Sequence, residues 1–168
     1  MIIACSKPVI AEIDGIATAA GCQLVASCDL AIASDSSKFA TPGVNIGLFC
    51  STPMVALSRN VSKKEAMKML LTGDMIDAPE AKRISLINDH VSSEKLHDAV
   101  MSIAKKISMK SLATVKIGKE AFYHQYEMNL SDAYDYTSKV MTKNSLTDDA
   151  KEGIASFLEK RDPVWKDD

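Results

Sequence analysis

Short apolar runs in the first part of the chain alternate with turn residues and predict strands. Residues 9–13 form an apolar, β-branched run after Pro8, and proline can open a strand but does not lie inside one. Asp14-Gly15 predicts a tight turn, because glycine accepts positive φ angles. Residues 28–34 form a second apolar run. The pattern predicts a strand, a turn, a helix that begins near Gly21, and a second strand.

Polar capping residues followed by helical periodicity dominate the rest of the chain. Ser62-Lys-Lys-Glu65 is a capping box that predicts a helix over residues 66–71. Asp77, with proline two residues later, predicts a second short helix. Further along we predict a short strand at 86–91 and helices near 94–108, 111–126, 130–144 and 148–160, the last of them capped by Thr147.

The composition is that of one ordinary globular domain. The chain has 168 residues, of which 46% are hydrophobic and 25% are charged. A net charge of −2 and the lack of a basic stripe interleaved with aromatic residues argue against nucleic-acid binding. No apolar run approaches the length of a membrane span, and the N-terminus lacks the layout of a signal peptide.

The cysteines and histidines predict neither disulfides nor a metal site. The four cysteines form no C-x-x-C pair, so reduced thiols in an intracellular compartment are expected. The three histidines lie far apart along the chain. These residues are Cys5, Cys22, Cys28 and Cys50, and His90, His97 and His124.

Small residues surround the predicted start of the first helix. Ala17, Ala19, Ala20 and Gly21 leave the backbone uncovered there. Free N–H groups and the positive end of the helix dipole at such a start suit a substrate oxyanion. Close packing of a helix on a strand also needs small residues, and this run by itself favours that structural interpretation.

This run is part of a series of motifs that extends along the chain. The motifs are residues 7–24 (KPVIAEIDGIATAAGCQL), 28–34 (CDLAIAS), 39–48 (FATPGVNIGL), 71–74 and 76–81 (LTGD, IDAPEA), and 152–161 (EGIASFLEKR) with Pro163 and Trp165. Together they resemble the crotonase superfamily of enoyl-CoA hydratases and isomerases. The resemblance covers essentially the whole chain, and the motifs occur in the family's order.

The resemblance implies an α/β fold, namely the C-terminal part of a crotonase-type ββα spiral with a helical trimerisation region. Residues 1–168 would form a single partial domain, with residues 1–92 in the spiral core and residues 93–168 in the helical region. The family's domain has several strands and helices before the segment that corresponds to residues 7–11, so we expect an N-terminally truncated domain. The family also implies a homo-oligomer, either a trimer or a dimer of trimers.

Three positions of the family's catalytic site can be carried over to this chain. Ala20 aligns with the middle of a glycine triplet whose backbone N–H stabilises the thioester enolate. Gln23 and Gly43 align with the two glutamates that hold and activate water. A glutamine accepts no proton near neutral pH and a glycine has no side chain, whereas acid–base catalysis needs a titratable group within reach. We therefore predict little or no hydratase activity.

Four further residues are candidates for ligand contacts. Cys50 and Ser51 align with residues that face the acyl pocket; Cys50 could be a polar wall or a nucleophile, and a buried structural thiol is the alternative. Phe157 and Lys160 match the residues of the family's C-terminal helix that approach the CoA nucleotide of a neighbouring subunit. The alternative is an amphipathic helix with a buried phenylalanine and a solvated lysine.

The resemblance thus implies a fatty acyl-CoA thioester as substrate or ligand, with no other cofactor and no metal. The family's reaction is addition of water to a 2-enoyl-CoA or proton transfer next to the thioester. Two other interpretations stay open: a non-catalytic acyl-CoA-binding or regulatory subunit, and a structural partner that caps the trimer of a full-length relative. We expect a soluble intracellular protein, in the cytoplasm or, in a eukaryote, in the mitochondrial matrix.

Overall fold

The computed structural model describes residues 2–167 and confirms a mixed α/β fold. Six strands and eight α-helices lie within these residues. In chain order they are β1 (Ile10–Ile13), β2 (Ile16–Thr18), α1 (Ala20–Ser27), β3 (Leu30–Ser34), β4 (Lys38–Ala40), a 3-10 helix (Pro42–Ile46), α2 (Pro53–Asn60), α3 (Lys63–Thr72), β5 (Ile76–Asp77), α4 (Ala78–Arg83), β6 (Asp89–Val91), α5 (Ser93–Ser108), α6 (Leu112–Gln125), α7 (Leu130–Ser145) and α8 (Asp148–Glu159).

The described chain forms two compact units. One contains residue 2 and residues 9–104, and with them all six strands. The other contains residues 3–8 and residues 105–167, which include α6, α7 and α8. The boundary between these compact units falls inside α5, and the division into a spiral core of residues 1–92 and a helical region of residues 93–168 stays a prediction.

The strands form two three-stranded sheets, and the turn between β1 and β2 connects them. In the first sheet β1, β3 and β6 lie side by side and run parallel. In the second sheet β4 lies between β2, which is parallel to it, and β5, which is antiparallel. Gly15 joins β1 to β2 with φ 117°, an angle that glycine adopts readily. The turn predicted at Asp14-Gly15 therefore carries the chain from one sheet to the other.

A large apolar core holds the strand-containing unit together. Phe39 of β4 is completely buried in it, and residues from α1, α2, α3 and α4 pack around it. A smaller cluster lies between β3 and α5, where Ile32, Leu96 and Val100 are buried together. The short strands are thus covered by helices, which is how a small parallel sheet buries its apolar faces.

The helical unit is held together by a buried carboxylate. Asp149, near the start of α8, accepts hydrogen bonds from the hydroxyl of Ser111 (2.5 Å) and from the backbone N–H groups of Lys166 (2.7 Å) and Asp167 (3.2 Å). These hydrogen bonds, that of Ser111 above all, lower the pKa of the Asp149 carboxyl. The carboxylate therefore joins the start of α6, the start of α8 and the C-terminal tail.

The predicted helices and their caps are largely confirmed. Ser62, Asp77 and Thr147 each accept a hydrogen bond from a backbone N–H in the first turn of the helix that follows. The strand predicted at residues 86–91 is shorter and covers only Asp89–Val91.

The sequence analysis missed five elements of the strand-containing unit. It did not predict β2, β5 or α2, and it assigned the segment 39–48, which begins within β4 and contains the 3-10 helix, to a loop. The three strands have only two or three residues each, so they carry too few positions for a detectable alternation. Their pairing depends on partners that are distant in the sequence. Helix α2 begins at a proline that follows a loop, and it carries only a short apolar stripe.

Substitution of two neighbouring leucines tests which face of α3 packs against the core. The side chain of Leu70 is 2% exposed and that of Leu71 is 59% exposed. We expect Leu70→Ala to lower the free energy of unfolding by about 2–5 kcal/mol, because it leaves a cavity in the core. Leu71→Ala is the matched control and should change it by about 0.5 kcal/mol or less. Denaturant unfolding measures both, and equal effects would contradict the packing of α3.

Candidate active site at the start of helix α1

The candidate site lies where β2 ends and α1 begins. Ala19 is the last residue before α1, and its N–H donates a 3.0 Å hydrogen bond to the carbonyl of Ala40 at the end of β4. Its own carbonyl accepts the N–H of Gln23 at 3.0 Å and so closes the first turn. Within residues 2–167 the N–H of Ala20 has no hydrogen-bond acceptor, as is usual for the first residue of a helix. This N–H can therefore bind a ligand oxygen.

The backbone of Ala19 is strained. Its φ of 48° and ψ of −112° lie in a region that residues with a Cβ rarely adopt. Such a conformation costs on the order of 1–3 kcal/mol, and the surrounding structure has to maintain it. Here the hydrogen bond to Ala40 and the first turn of α1 do so, and the strain is located at the candidate site itself.

Gln23 lies one turn into α1 and is half-buried. Its carbonyl accepts a 2.7 Å hydrogen bond from the hydroxyl of Ser27, and its side-chain amide makes no hydrogen bond within the described part of the chain. An amide can orient a water molecule by donating or accepting, but it cannot take up a proton near neutral pH. Gln23 is therefore available to a ligand or a water molecule only as a neutral group.

The segment that packs against Gly43 leaves little room for a side chain at this position. The Leu48 N–H donates to the Gly43 carbonyl at 3.0 Å, so the loop after the 3-10 helix folds back over this residue. A Cβ on Gly43 would lie 2.8 Å from the Leu48 carbonyl oxygen and 3.0 Å from the Cys50 sulfur. Both distances are too short for a carbon contact. A glutamate at this position would therefore require the segment from Leu48 to Cys50 to move.

Cys50 and Ser51 have opposite environments. Cys50 is buried in the large core, whereas Ser51 is exposed and its hydroxyl donates to the Phe49 carbonyl at 3.3 Å. Burial and the neighbouring Cys50 raise the pKa of the Cys22 thiol to about 12, so Cys22 stays protonated at neutral pH. A protonated thiol is a poor nucleophile. The burial of Cys50 agrees with a structural thiol, and a role in the acyl pocket stays a prediction for both Cys50 and Ser51.

Phe157 and Lys160 lie at the end of α8, in the helical unit. Phe157 is 83% exposed, so the single chain does not bury it as the alternative expects. Lys160 ends the helix in a left-handed conformation, with φ 55°, and its N–H donates to the carbonyls of Ser156 and Phe157. Ala20, Gln23 and Gly43 belong to the strand-containing unit. The predicted contact of Phe157 and Lys160 with CoA stays a prediction.

The described residues show neither a cluster of metal ligands nor a membrane-spanning helix. Among residues 2–167, no group of three or more His, Cys, Asp or Glu side chains is arranged to hold a metal ion. No helix in this part of the chain is both long and apolar enough to cross a membrane.

Comparison with known proteins shows the family. The family model described as enoyl-CoA hydratase/isomerase matches residues 1–168. The chain belongs to this family.

Curated relatives and solved structures agree with this assignment. The mitochondrial enoyl-CoA hydratase domain-containing protein 3 of Xenopus laevis is 54% identical over 158 residues, which are 94% of this chain and 54% of that protein. The human protein of the same name is 53% identical, with 94% of this chain and 52% of that protein covered. The chain thus spans about half the length of these curated relatives.

Two crystal structures confirm the crotonase-type fold. That of human enoyl-CoA hydratase domain-containing protein 3 has a TM-score of 0.95 at 52% identity and covers 98% of this chain and 65% of that chain. That of an enoyl-CoA hydratase from Mycobacterium smegmatis has a TM-score of 0.96 at 48% identity and covers 98% and 64%.

The sequence analysis missed Thr41, directly before Pro42. Thr41 is completely buried, and its hydroxyl has no hydrogen-bond partner among residues 2–167. An unpaired buried hydroxyl costs about 1–3 kcal/mol. The sequence shows that Thr41 follows the apolar pair Phe39-Ala40. Its burial and its lack of a partner could not be predicted, because they depend on the pairing of β4.

The strain at Ala19 can be tested with glycine. We expect Ala19→Gly to raise the free energy of unfolding by about 1 kcal/mol, because relief of the positive φ outweighs the greater flexibility of the unfolded chain. Ala26→Gly, in the same helix, is the control and should lower it by about 1 kcal/mol or more. Thermal and denaturant unfolding report both changes. Destabilisation by Ala19→Gly would contradict the backbone conformation described here.

Proposed function

We propose that this chain binds fatty acyl-CoA thioesters and polarises the thioester carbonyl without adding water to the acyl chain. The observation that carries the proposal is the contrast at the start of α1. The backbone N–H of Ala20 remains available, whereas Gln23 and Gly43 occupy the two positions at which the family has glutamates. The family assignment and the names of the relatives support coenzyme A thioesters as the ligand class.

Polarisation of a carbonyl needs only the backbone. An N–H aimed at a developing oxyanion contributes about 3 kcal/mol to transition-state stability in enzymes that use one. Because the donor is a main-chain group, alanine at position 20 can supply it as well as glycine can. The first turn of α1 adds the positive end of the helix dipole. These features support binding of the thioester oxygen at Ala20.

Addition of water would need a proton donor and acceptor that this site lacks. Gln23 stays neutral, and Gly43 cannot be replaced by glutamate without displacing the Leu48 carbonyl and Cys50. The nearby Cys22 thiol stays protonated, because its pKa is raised to about 12. The catalytic alternative, in which the chain hydrates or isomerises an enoyl-CoA, therefore has less support than the binding function.

A homo-oligomer is part of the same proposal. The helical unit exposes large apolar side chains on α7 and α8, and Phe157 is the most exposed of them. We propose that they meet a second copy of the chain and that Phe157 and Lys160 then lie near the CoA nucleotide bound to the neighbouring subunit. Lys160 would attract phosphate as a point charge.

The proposed location is the mitochondrial matrix if the source is eukaryotic, as the mitochondrial relatives support. In any other source we propose the cytoplasm.

Calorimetric titration with three ligands tests the thioester site. The ligands are a saturated acyl-CoA, free CoA, and an S-alkyl-CoA thioether of the same chain length that lacks the carbonyl oxygen. We expect the thioester to bind more tightly than free CoA and about tenfold more tightly than the thioether, because only the thioester can accept the Ala20 N–H. Equal affinity for thioester and thioether would refute the role of Ala20.

The same preparation distinguishes a binder from an enzyme. With a 2-enoyl-CoA as substrate, we expect no turnover above the uncatalysed rate. Clear hydration or isomerisation would establish the catalytic alternative, and failure of all three CoA compounds to bind would refute the proposed function altogether.

The proposed oligomer is tested by sedimentation velocity. We expect Phe157→Asp to shift the chain toward monomer, because a carboxylate cannot be buried cheaply in an apolar interface. Leu71→Asp places the same charge on an exposed apolar position of α3 and is the control. A wild-type chain that sediments as a monomer, or a Phe157→Asp variant that keeps the wild-type assembly, would contradict the interface.

A further inference from the structure

Strands β1 and β2 each lie at the edge of a sheet. The strand order is β1-β3-β6 in the first sheet and β2-β4-β5 in the second, so within residues 2–167 no strand covers the outer side of β1 or of β2. An edge strand presents main-chain N–H and C=O groups that can pair with a strand of another chain. The outer side of β1 is therefore a surface on which a further strand can be added.

The hydrogen bonds of β1 show which of its residues face the open side. The Val9 carbonyl accepts the N–H groups of Asp29 (3.0 Å) and Leu30 (3.3 Å), so Val9 faces β3. Alternate residues of a strand direct their main-chain groups to opposite sides, and every second residue after Val9 also faces β3. The N–H and C=O groups of Ile10 and Glu12 thus point to the open edge, where the described chain offers them no partner.

An apolar groove of about 480 Å³ runs along this edge. Residues 9–17 and residues of α1 line it. Two of its large apolar side chains are exposed, Ile16 by 69% and Leu24 by 57%. An extended segment that lies in the groove would cover these side chains while it pairs with β1.

The charge of the groove favours one kind of occupant. Glu12 and Asp14 are the only charged side chains among the described residues that line it. His97 contacts Glu12 at 3.3 Å, yet the Glu12 side chain remains 38% exposed. Pairing of β1 with β1 of a second copy would place the carboxylates of both copies along one edge, and residues 9–18 contain no lysine, arginine or histidine to offset them. A segment with a basic side chain fits this edge better.

We propose that β1 is a docking site for an extended segment of another protein, which adds to the sheet as a further strand and places a lysine or arginine opposite Glu12. The main chain of the added strand pairs with Ile10 and Glu12, and its apolar side chains lie in the groove. In strand addition of this kind the main chain provides affinity, and side chains at alternate positions provide specificity. The proposal does not depend on the binding of acyl-CoA.

A synthetic strand tests the docking site directly. The probe is a fluorescent peptide of about nine residues in which valine and threonine alternate around a central lysine, a length typical of a strand. The control peptide has glutamate in place of the lysine. We expect the lysine peptide to bind about tenfold more tightly in fluorescence anisotropy. We also expect it to slow hydrogen exchange of the Ile10 and Glu12 amides about tenfold or more, as measured by NMR.

Two substitutions at Glu12 separate its charge from its main-chain N–H. Glu12→Gln removes the charge and should weaken binding of the lysine peptide about threefold. Glu12→Pro also removes the N–H that faces the open edge and should weaken binding about tenfold further. Proline is tolerated where the N–H of an edge strand faces away from the sheet, so we expect both variants to fold. Asp74→Asn removes an exposed carboxylate outside the groove and should leave the affinity unchanged.

Other outcomes overturn the proposal. Failure of the lysine peptide to bind, equal affinity for the two peptides, or binding without slower exchange at Ile10 and Glu12 would each refute strand addition at β1. Slow exchange of these amides in the protein alone, with a dimer that Glu12→Pro dissociates in sedimentation velocity, would show that a second copy occupies the edge. If Glu12→Pro does not fold, the two peptides and the amide exchange of the wild type decide.

Discussion

The hydrogen bond from the Ala19 N–H to the Ala40 carbonyl is the constraint on which the candidate site depends. It continues the β2–β4 pairing by one residue and so fixes the direction in which α1 leaves the sheet. Because α1 begins at the next residue, the same bond positions the Ala20 N–H. On the other strand it fixes Ala40, and with it the buried Thr41 that follows. One backbone contact thus sets the position of the Ala20 N–H.

This geometry is costly for the free protein. Ala19 adopts a conformation that favours glycine, and Thr41 keeps a hydroxyl unpaired in the interior. Proteins tolerate such local penalties where the rest of the fold imposes them, and they are concentrated at ligand sites. Here the core around Phe39 provides that support, because it packs α1 against β4. A preformed site of this kind loses little further freedom when a ligand binds.

The sequence predicted the parts of the molecule that depend on local chemistry. Helix starts at Ser62, Asp77 and Thr147 could be predicted because a cap and its partner lie within four residues. The candidate positions Ala20, Gln23 and Gly43 came from a family motif. The short strands β2 and β4 could not be predicted, because their pairing joins residues about twenty positions apart. The burial of Thr41 and the packing over Gly43 follow from that pairing and remained hidden for the same reason.

The family's chemistry combines oxyanion binding with proton transfer, and these two functions depend on different parts of a residue. In the proposed function, oxyanion binding is performed by the main-chain N–H of Ala20, and a main-chain donor survives substitution wherever the backbone keeps its path. Proton transfer is performed by side chains, so in the same proposal it is lost where Gln23 and Gly43 replace the family's glutamates. The Leu48 carbonyl and Cys50 pack closely against Gly43, so a glutamate at this position would also require these neighbours to shift. A site that keeps the first function without the second still binds a thioester, but it stabilises the bound ligand and no proton-transfer transition state. This difference between main-chain and side-chain chemistry is the physical basis for proposing a binding protein on an enzyme's fold.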